Sequence, residues 1–154
     1  MNLHFLIIGP QNDFANPTGQ NVVPALAEIL TEWENTFAVV DYVMEGSNCW
    51  IEPCNALQAD VPDLDDPDTL LNTRLINELK SADLVAGSGQ TLSPCVANTI
   101  RDLAANLDPA DISKLVLIVD TTSPVPGFKQ LAQRFFTEMA AREMCTVKTT
   151  KFLV

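Results

Sequence analysis

The side chain best suited to covalent chemistry in this 154-residue chain is Cys95. It follows a short apolar segment, 83–87, and a polar turn, and it lies in the first turn of a predicted helix, 93–107. The helix dipole and unpaired backbone amides would favour a thiolate there, and the same amides could form an oxyanion hole. The structural alternative is a buried cysteine that packs as a small apolar side chain.

A cysteine nucleophile needs a general base and a charge that supports the thiolate. Asp13 and Asp120 are possible bases, although Asp13 is better explained as a residue that caps or braces its own turn, and Asp120 is at least as well explained as a structural residue. Glu45 follows a predicted strand, where a carboxylate would raise the pKa of a nearby thiol rather than lower it. Gly9 follows the first predicted strand, a position where α/β enzymes often carry a catalytic side chain, and a glycine has none.

The remaining polar residues give little support for a metal or a cofactor. His4 is the single histidine, so neither a histidine-based triad nor a two-histidine metal site can be built within one chain. Cys49 and Cys54 could be half of a metal site, but no second close pair exists. The acidic segment 45–67 lacks the glycine and oxygen spacing of an EF-hand and is interpreted as a long solvated loop. The "GSG" at 87–89 is not part of a phosphate-binding loop, and we predict no metal and no cofactor.

Composition restricts the class of protein. Hydrophobic residues make up 47% of the chain, which is sufficient for one folded domain, 1–154. The formal net charge of -11 would repel nucleic acid and anionic membranes, so neither is an expected partner. The apolar run at 3–9 is too short for a signal peptide or a membrane span, and no CxxC pair occurs among the four cysteines. These features favour a cytoplasmic protein with reduced thiols.

Apolar periodicity predicts strands and helices that alternate along the chain. This pattern specifies an α/β fold with a parallel sheet, helices on both faces and right-handed crossovers. Ligands bind such sheets at the carboxyl ends of the strands. The predicted strands are 3–9, 37–44, 83–87, 114–120 and an edge strand in 145–154, and the predicted helices are 24–36, 68–82, 93–107 and 127–144.

Two of the helices have clear inner faces. In 93–107, Ser93 can cap the amino end with Pro94 at the first helical position. In 127–144 the apolar residues form a wide stripe. The predicted inner positions are 96, 99, 100, 103, 104 and 107 in the first helix, and 128, 131, 132, 135, 136, 139 and 140 in the second.

Three stretches, "FLIIGPQNDFANPTG", "VMEGSNCW" and "DLVAGSGQTLSPCVANTIRDLA", together resemble the isochorismatase-like cysteine hydrolases, which include the nicotinamidases. The resemblance covers nearly the whole chain. It implies a three-layer, doubly wound parallel sheet of about five strands in the order 2-1-3-4-5. It also implies a cis peptide bond shortly before the nucleophile, for which Gln90-Thr91 is the counterpart, in a turn that would supply the oxyanion hole.

The same resemblance shows where the catalytic set departs from the family pattern. The family uses an Asp base, a Lys that supports the thiolate and a Cys nucleophile. Cys95 falls on the nucleophile, Gly9 on the Asp and Glu45 on the Lys. Many members also bind a metal through a block that this chain lacks between about residues 20 and 22.

These departures favour a catalytically inactive member that acts as a binding or assembly module, because an unsupported thiol is a poor amidase. We expect a homo-oligomer or a protein partner, and a small-molecule amide is a possible ligand. The alternative is a cysteine hydrolase of small amides such as nicotinamide, with Cys95 as nucleophile and a displaced base such as Asp13.

Overall fold

The computed structural model describes residues 2–9 and 55–152. In these ranges four parallel strands form one sheet in the order β1-β2-β3-β4. The register pairs Ile8 with Gly89 between β1 and β2. The strands are β1 (Leu3–Ile8), β2 (Leu84–Gly89), β3 (Leu115–Ile118) and β4 (Cys145–Val147).

Three α-helices occur in the described ranges: α1 (Thr73–Lys80), α2 (Ala97–Asn106) and α3 (Lys129–Ala141). The helix predicted at 68–82 begins later, because the side chain of Asn72 caps α1 by accepting a hydrogen bond from the amide of Leu75 at 3.0 Å. No helix in these ranges is long and apolar enough to cross a membrane.

The observed strand order matches the 1-3-4-5 part of the predicted order. The predicted strand 37–44 and helix 24–36 lie outside the described residues. Each strand from β2 to β4 is added on the same side of the strand before it. Right-handed crossovers therefore place α2 and α3 on the same face of the sheet. An ion pair between Arg101 Nε and Glu138 Oε2 at 2.8 Å links the two helices.

The core lies between these helices and the sheet. Every predicted inner position of the 93–107 helix is buried, because the i, i+3, i+4 pattern presents one continuous apolar stripe to the strands. Leu103 of α2 and Phe135 and Met139 of α3 are fully buried in one cluster with Leu117 of β3.

Several predicted boundaries were wrong for local reasons. The stripe of the last helix is narrower than predicted, since only Ala132, Phe135 and Met139 are fully buried and positions 128, 131 and 140 are exposed. The strand predicted at 114–120 ends at Ile118, where the chain enters a 3-10 turn, and β4 has only three residues. In contrast, β2 extends two residues beyond the predicted strand.

The segment that precedes α1 is anchored to α2. The side-chain amides of Asn55 and Gln58 both donate to Asp102 Oδ2, at 2.6 and 2.7 Å. The backbone amide of Ala56 donates to Thr99 Oγ1 at 3.0 Å. These three bonds fix residues 55–58, where the described part of the acidic loop begins, on the flank of α2.

The described part of the acidic loop is built around Thr69. Its hydroxyl oxygen accepts from the amide of Asp63 at 2.8 Å and lies 2.9 and 2.7 Å from the carbonyl oxygens of Asp63 and Asp66. The amide of Ala59 donates to the carbonyl of Thr69 at 3.0 Å. Residues 55–67 form no regular strand or α-helix, as predicted, but their backbone is closed by specific hydrogen bonds.

Candidate functional site

Several residues singled out in the sequence follow strands at one edge of the sheet, where the carboxyl ends of β1 and β2 lie side by side. Gly9 follows β1, whereas Gln90, Thr91 and Cys95 follow β2. Asp13, Glu45, Cys49 and Cys54 lie outside the described residues, so their predicted roles stay predictions.

Gly9 is in contact with the backbone of the next strand. Its φ of +54° lies in the left-handed region, and a Cβ on Gly9 would overlap the carbonyl oxygen of Gln90. Gly89 mirrors this arrangement, because a Cβ there would overlap the carbonyl oxygen of Ile8. The amide of Gln90 also donates to the carbonyl of Ile8 at 2.9 Å. The two strand ends therefore approach too closely for a side chain at either glycine.

After Gln90 and Thr91 the chain forms a π-helical turn, Leu92–Val96, which leads directly into α2. The peptide bonds Gln90-Thr91 and Ser93-Pro94 are both cis; the resemblance implied the first, and the second was not predicted. Ser93 has the extended dihedral angles that an N-cap residue takes (φ -135°, ψ 121°), and the residues from Pro94 onward are helical, so the backbone agrees with the predicted start of the helix. A capping bond from the Ser93 side chain stays a prediction. The hydroxyl of Thr91 donates to the carbonyl of Ser93 at 3.2 Å.

Most of the backbone amides of this turn already donate hydrogen bonds to backbone carbonyls. The amide of Leu92 donates to the carbonyl of Ser123 at 2.9 Å, and that of Val96 donates to the carbonyl of Thr91 at 2.9 Å. The amide of Ala97 bonds within the turn, and Pro94 has no N–H. An oxyanion hole at this turn would therefore have to use the amides of the remaining residues, and it stays a prediction.

Cys95 is a reduced, buried residue with 9% of its surface exposed. It belongs to the main hydrophobic cluster, next to Val96, which is fully buried. The structure therefore gives this thiol the packing of a core residue. Cys145, on the edge strand β4, is the exposed counterpart.

Asp120 lies near this edge of the sheet but is engaged in a structural contact. Its Oδ1 accepts from the amide of Thr149 at 2.8 Å, and its Oδ2 accepts from the hydroxyl of Thr149 at 2.7 Å. Burial of the carboxyl would raise its pKa, but the two bonds from Thr149 and the charge of Lys148 act more strongly and hold the pKa below the ordinary value. A carboxylate of lowered pKa is a poor general base, so the structure supports the bracing role of Asp120.

A set of buried polar side chains behind this edge was missed in the sequence. Ser88 Oγ, Gln90 Nε2 and Thr122 Oγ1 are buried and have no hydrogen-bond partner among residues 2–9 and 55–152. Gln90 is held on one side, because its Oε1 accepts from the hydroxyl of Ser123 at 3.2 Å. The signal in the sequence was a serine and a glutamine at alternate positions of a strand whose neighbouring residues are small or apolar.

Residues 2–9 and 55–152 do not by themselves form the metal site that the resemblance implies for many members of the family. His4 is in β1, near the amino end of the sheet and five residues before Gly9, so it cannot contribute at the carboxyl edge. Among residues 2–9 and 55–152 no group of three His, Cys, Asp or Glu side chains could hold a metal ion.

Comparison with known proteins gives structural matches only. No protein-family model and no curated protein matches the chain. An isochorismatase family protein from Desulfovibrio vulgaris subsp. vulgaris str. Hildenborough is similar with a TM-score of 0.58 and 18% identity, over 97% of this chain and 95% of that chain. An isochorismatase-like hydrolase from Alkaliphilus metalliredigens is similar with a TM-score of 0.60 and 16% identity, over 99% and 94%.

The chain has the isochorismatase-like fold. This confirms the predicted three-layer α/β class, which the two similar structures share. At 16–18% identity the likeness establishes the fold and leaves the chemistry to the residues of this chain. The alignments span nearly the full length of this chain and of both similar structures. Coverage alone does not show whether a block is missing inside the aligned range, so the missing block near residues 20–22 stays a prediction.

Proposed function

We propose that this protein is an isochorismatase-like protein without hydrolase activity, which acts as a binding or assembly module. One observation carries the proposal: the position that the resemblance assigns to the catalytic Asp is Gly9, and the contact with Gln90 leaves no room for a side chain there. The strand end is built for close backbone packing rather than for presenting a base.

The other members of the catalytic set support the same conclusion. The resemblance assigns Glu45 to the position of the supporting Lys, so the charge beside the thiolate would be reversed. Cys95 itself is buried in the hydrophobic cluster. Removal of one member of a catalytic triad costs several orders of magnitude in rate, so the loss of two leaves little activity.

The direct test is hydrolysis of small amides. Purified protein is incubated with nicotinamide and related carboxamides, and ammonia is measured beside an active hydrolase as a positive control. We expect no release above that of Cys95→Ser. Ammonia release that Cys95→Ser abolishes would overturn the proposal in favour of a cysteine hydrolase with a displaced base such as Asp13.

A second test uses the two described cysteines as a matched pair. The protein is alkylated with iodoacetamide under native conditions at several pH values, and the modified peptides are quantified by mass spectrometry. Cys145 is exposed and Cys95 is buried, so we expect Cys145 to react faster at every pH. Faster reaction of Cys95 at acidic pH would reveal an activated thiolate and contradict the proposal.

In this proposed role residues 1–154 form one domain, and the protein is cytoplasmic. Self-association or a protein partner would supply its function, and a small amide could still bind without being hydrolysed. Co-purification from cells separates these cases, because a protein partner stays bound through the purification whereas self-association depends on the concentration of the pure protein.

A further inference from the structure

Two surface patches expose large apolar side chains in the described part of the chain. Val61 and Leu64, on the acidic loop, are 78% and 85% exposed. Phe128 and Leu131, at the start of α3, are 40% and 43% exposed. Such clustered exposure on an otherwise well-packed domain points to an interaction surface.

The first patch is acidic. Asp60, Asp63 and Asp65 alternate with Val61 and Leu64, and these five residues are called the acidic patch. All nine Lys and Arg residues of the chain lie at or after position 74, whereas twelve of its twenty Asp and Glu residues precede it. The hydrogen bonds to Thr69 already order the loop, so binding would cost little conformational entropy.

The second patch is basic. Leu131 and Arg134 lie three residues apart along one row of α3, and Phe128 directly precedes the helix, with Lys129 beside it. These four residues are called the basic patch. Lys129 and Arg134 are exposed, and neither makes an ion pair within residues 2–9 and 55–152.

The two patches lie on different flanks of α2. Asp102 of α2 binds Asn55 and Gln58, which lead into the acidic loop. Arg101, about 100° away around the helix, binds Glu138 of α3. Both patches stay exposed in the monomer, so they do not cover each other within one molecule.

We propose that the acidic patch of one copy binds the basic patch of a second copy, in a head-to-tail contact. Each patch offers two apolar side chains flanked by charges of one sign, and the signs are opposite, so apolar contact and charge attraction favour the same pairing. Because the contact joins two different surfaces, each copy keeps one unused patch and further copies can add. This inference rests on the proposed assembly role and specifies the surface that performs it.

Sedimentation velocity over a hundredfold range of concentration tests the proposal. The acidic patch has five residues and the basic patch four, so a contact between them is at the weak end of specific interfaces, and association should depend on concentration. It should also weaken between about 0.05 and 0.5 M salt, since exposed charges are screened. We expect Leu64→Ser and Leu131→Ser each to weaken association at least tenfold, whereas Ala140→Ser, on α3 outside the patch, should leave it unchanged.

A mixture of the two variants gives the decisive result. Leu64→Ser keeps its basic patch and Leu131→Ser keeps its acidic patch, so an equimolar mixture should form a one-to-one dimer that grows no further. A monomeric wild type, variants that associate as the wild type does, or a mixture no more associated than its components would each overturn the proposal. Amide hydrolysis is a separate readout: an active but associating protein would overturn only the lack of hydrolase activity, and an inactive monomer would overturn only this contact.

Discussion

Gly9 and Gln90 are in backbone contact where the first two strands of the sheet end, and a Cβ on Gly9 would occupy the place of the Gln90 carbonyl oxygen. The glycine is therefore a structural requirement of this strand pairing as well as the residue that stands where a catalytic base would be expected. An aspartate could be restored at position 9 only if the backbone of the Gln90 turn moved away.

Substitution of Gly9 should destabilise the fold through this contact. We expect Gly9→Ala to lower the free energy of unfolding by at least about 2 kcal/mol, since it combines a left-handed φ with an overlap against a backbone oxygen. Gly127→Ala is the matched control: Gly127 has a φ of +91° and no heavy atom within 4 Å of a Cβ, so it should cost only about 1 kcal/mol. If Gly9→Ala and Gly127→Ala lower the free energy of unfolding equally in urea denaturation, the backbone near Gln90 moves away from the new Cβ at no measurable cost. Gly9→Asp should behave as Gly9→Ala does and gain no amidase activity.

The bond between Asp120 and Thr149 should make stability depend on pH. Because folding lowers the pKa of Asp120, its contribution is present above the unfolded pKa of about 4 and is lost as the pH falls through the lower folded value. We expect Asp120→Asn to lower stability by about 0.5 kcal/mol at pH 7, with the difference from wild type vanishing once the pH lies below the folded pKa of Asp120. Asp108→Asn is the control, since the Asp108 side chain makes no cap bond. A pH-independent loss in Asp120→Asn would contradict the electrostatic origin.

Much of the fold could be predicted because its local signals agree. The order of the strands follows from the alternation of elements and from crossover handedness, which need no side-chain detail. The inner face of α2 was predicted position by position, since it packs against both the sheet and α3. Leu131 of α3 was wrongly placed in the core because only a narrow row, Ala132, Phe135 and Met139, meets α2 and the sheet.

The geometry of the candidate site was less predictable, because it depends on contacts between segments far apart in the chain. Ser93 and Pro94 have the composition of a helix start, and the backbone changes there from extended to helical, but a π-helical turn, Leu92–Val96, precedes the regular helix at Ala97. The role of Asp120 depends on Thr149, 29 residues later, and the role of Gly9 depends on Gln90. Sequence periodicity carries no information on such pairs.

The buried hydroxyl of Ser88 should be removable without loss. Ser88 is fully buried and its Oγ has no hydrogen-bond partner in the described part of the chain, so Ser88→Ala should raise the free energy of unfolding by about 1 kcal/mol. Thr121 is the matched control: it is equally buried, but its hydroxyl donates to the carbonyl of Ile118 at 2.7 Å. We therefore expect Thr121→Val to lower stability by about 1 kcal/mol. Destabilisation by both substitutions in calorimetry would indicate that a bound molecule satisfies Ser88.

Asp102 should control the attachment of the acidic loop to α2. Asp102→Ala removes the acceptor of both Asn55 and Gln58, and since Asn55 is buried its amide would lose a bond that water replaces poorly. We expect a loss of about 2 kcal/mol in stability and faster proteolysis within 55–70, because the loop would open without global unfolding. Arg101→Ala, which breaks the pair with Glu138 and the cation–π contact with Phe135 on the other flank, should leave the proteolysis of the loop unchanged. If the two variants are cleaved at the same rate in 55–70, the loop is held by contacts other than Asp102.

If Asp102→Ala also weakens self-association while Arg101→Ala does not, the order of the loop, and not its charge alone, prepares the acidic patch for binding.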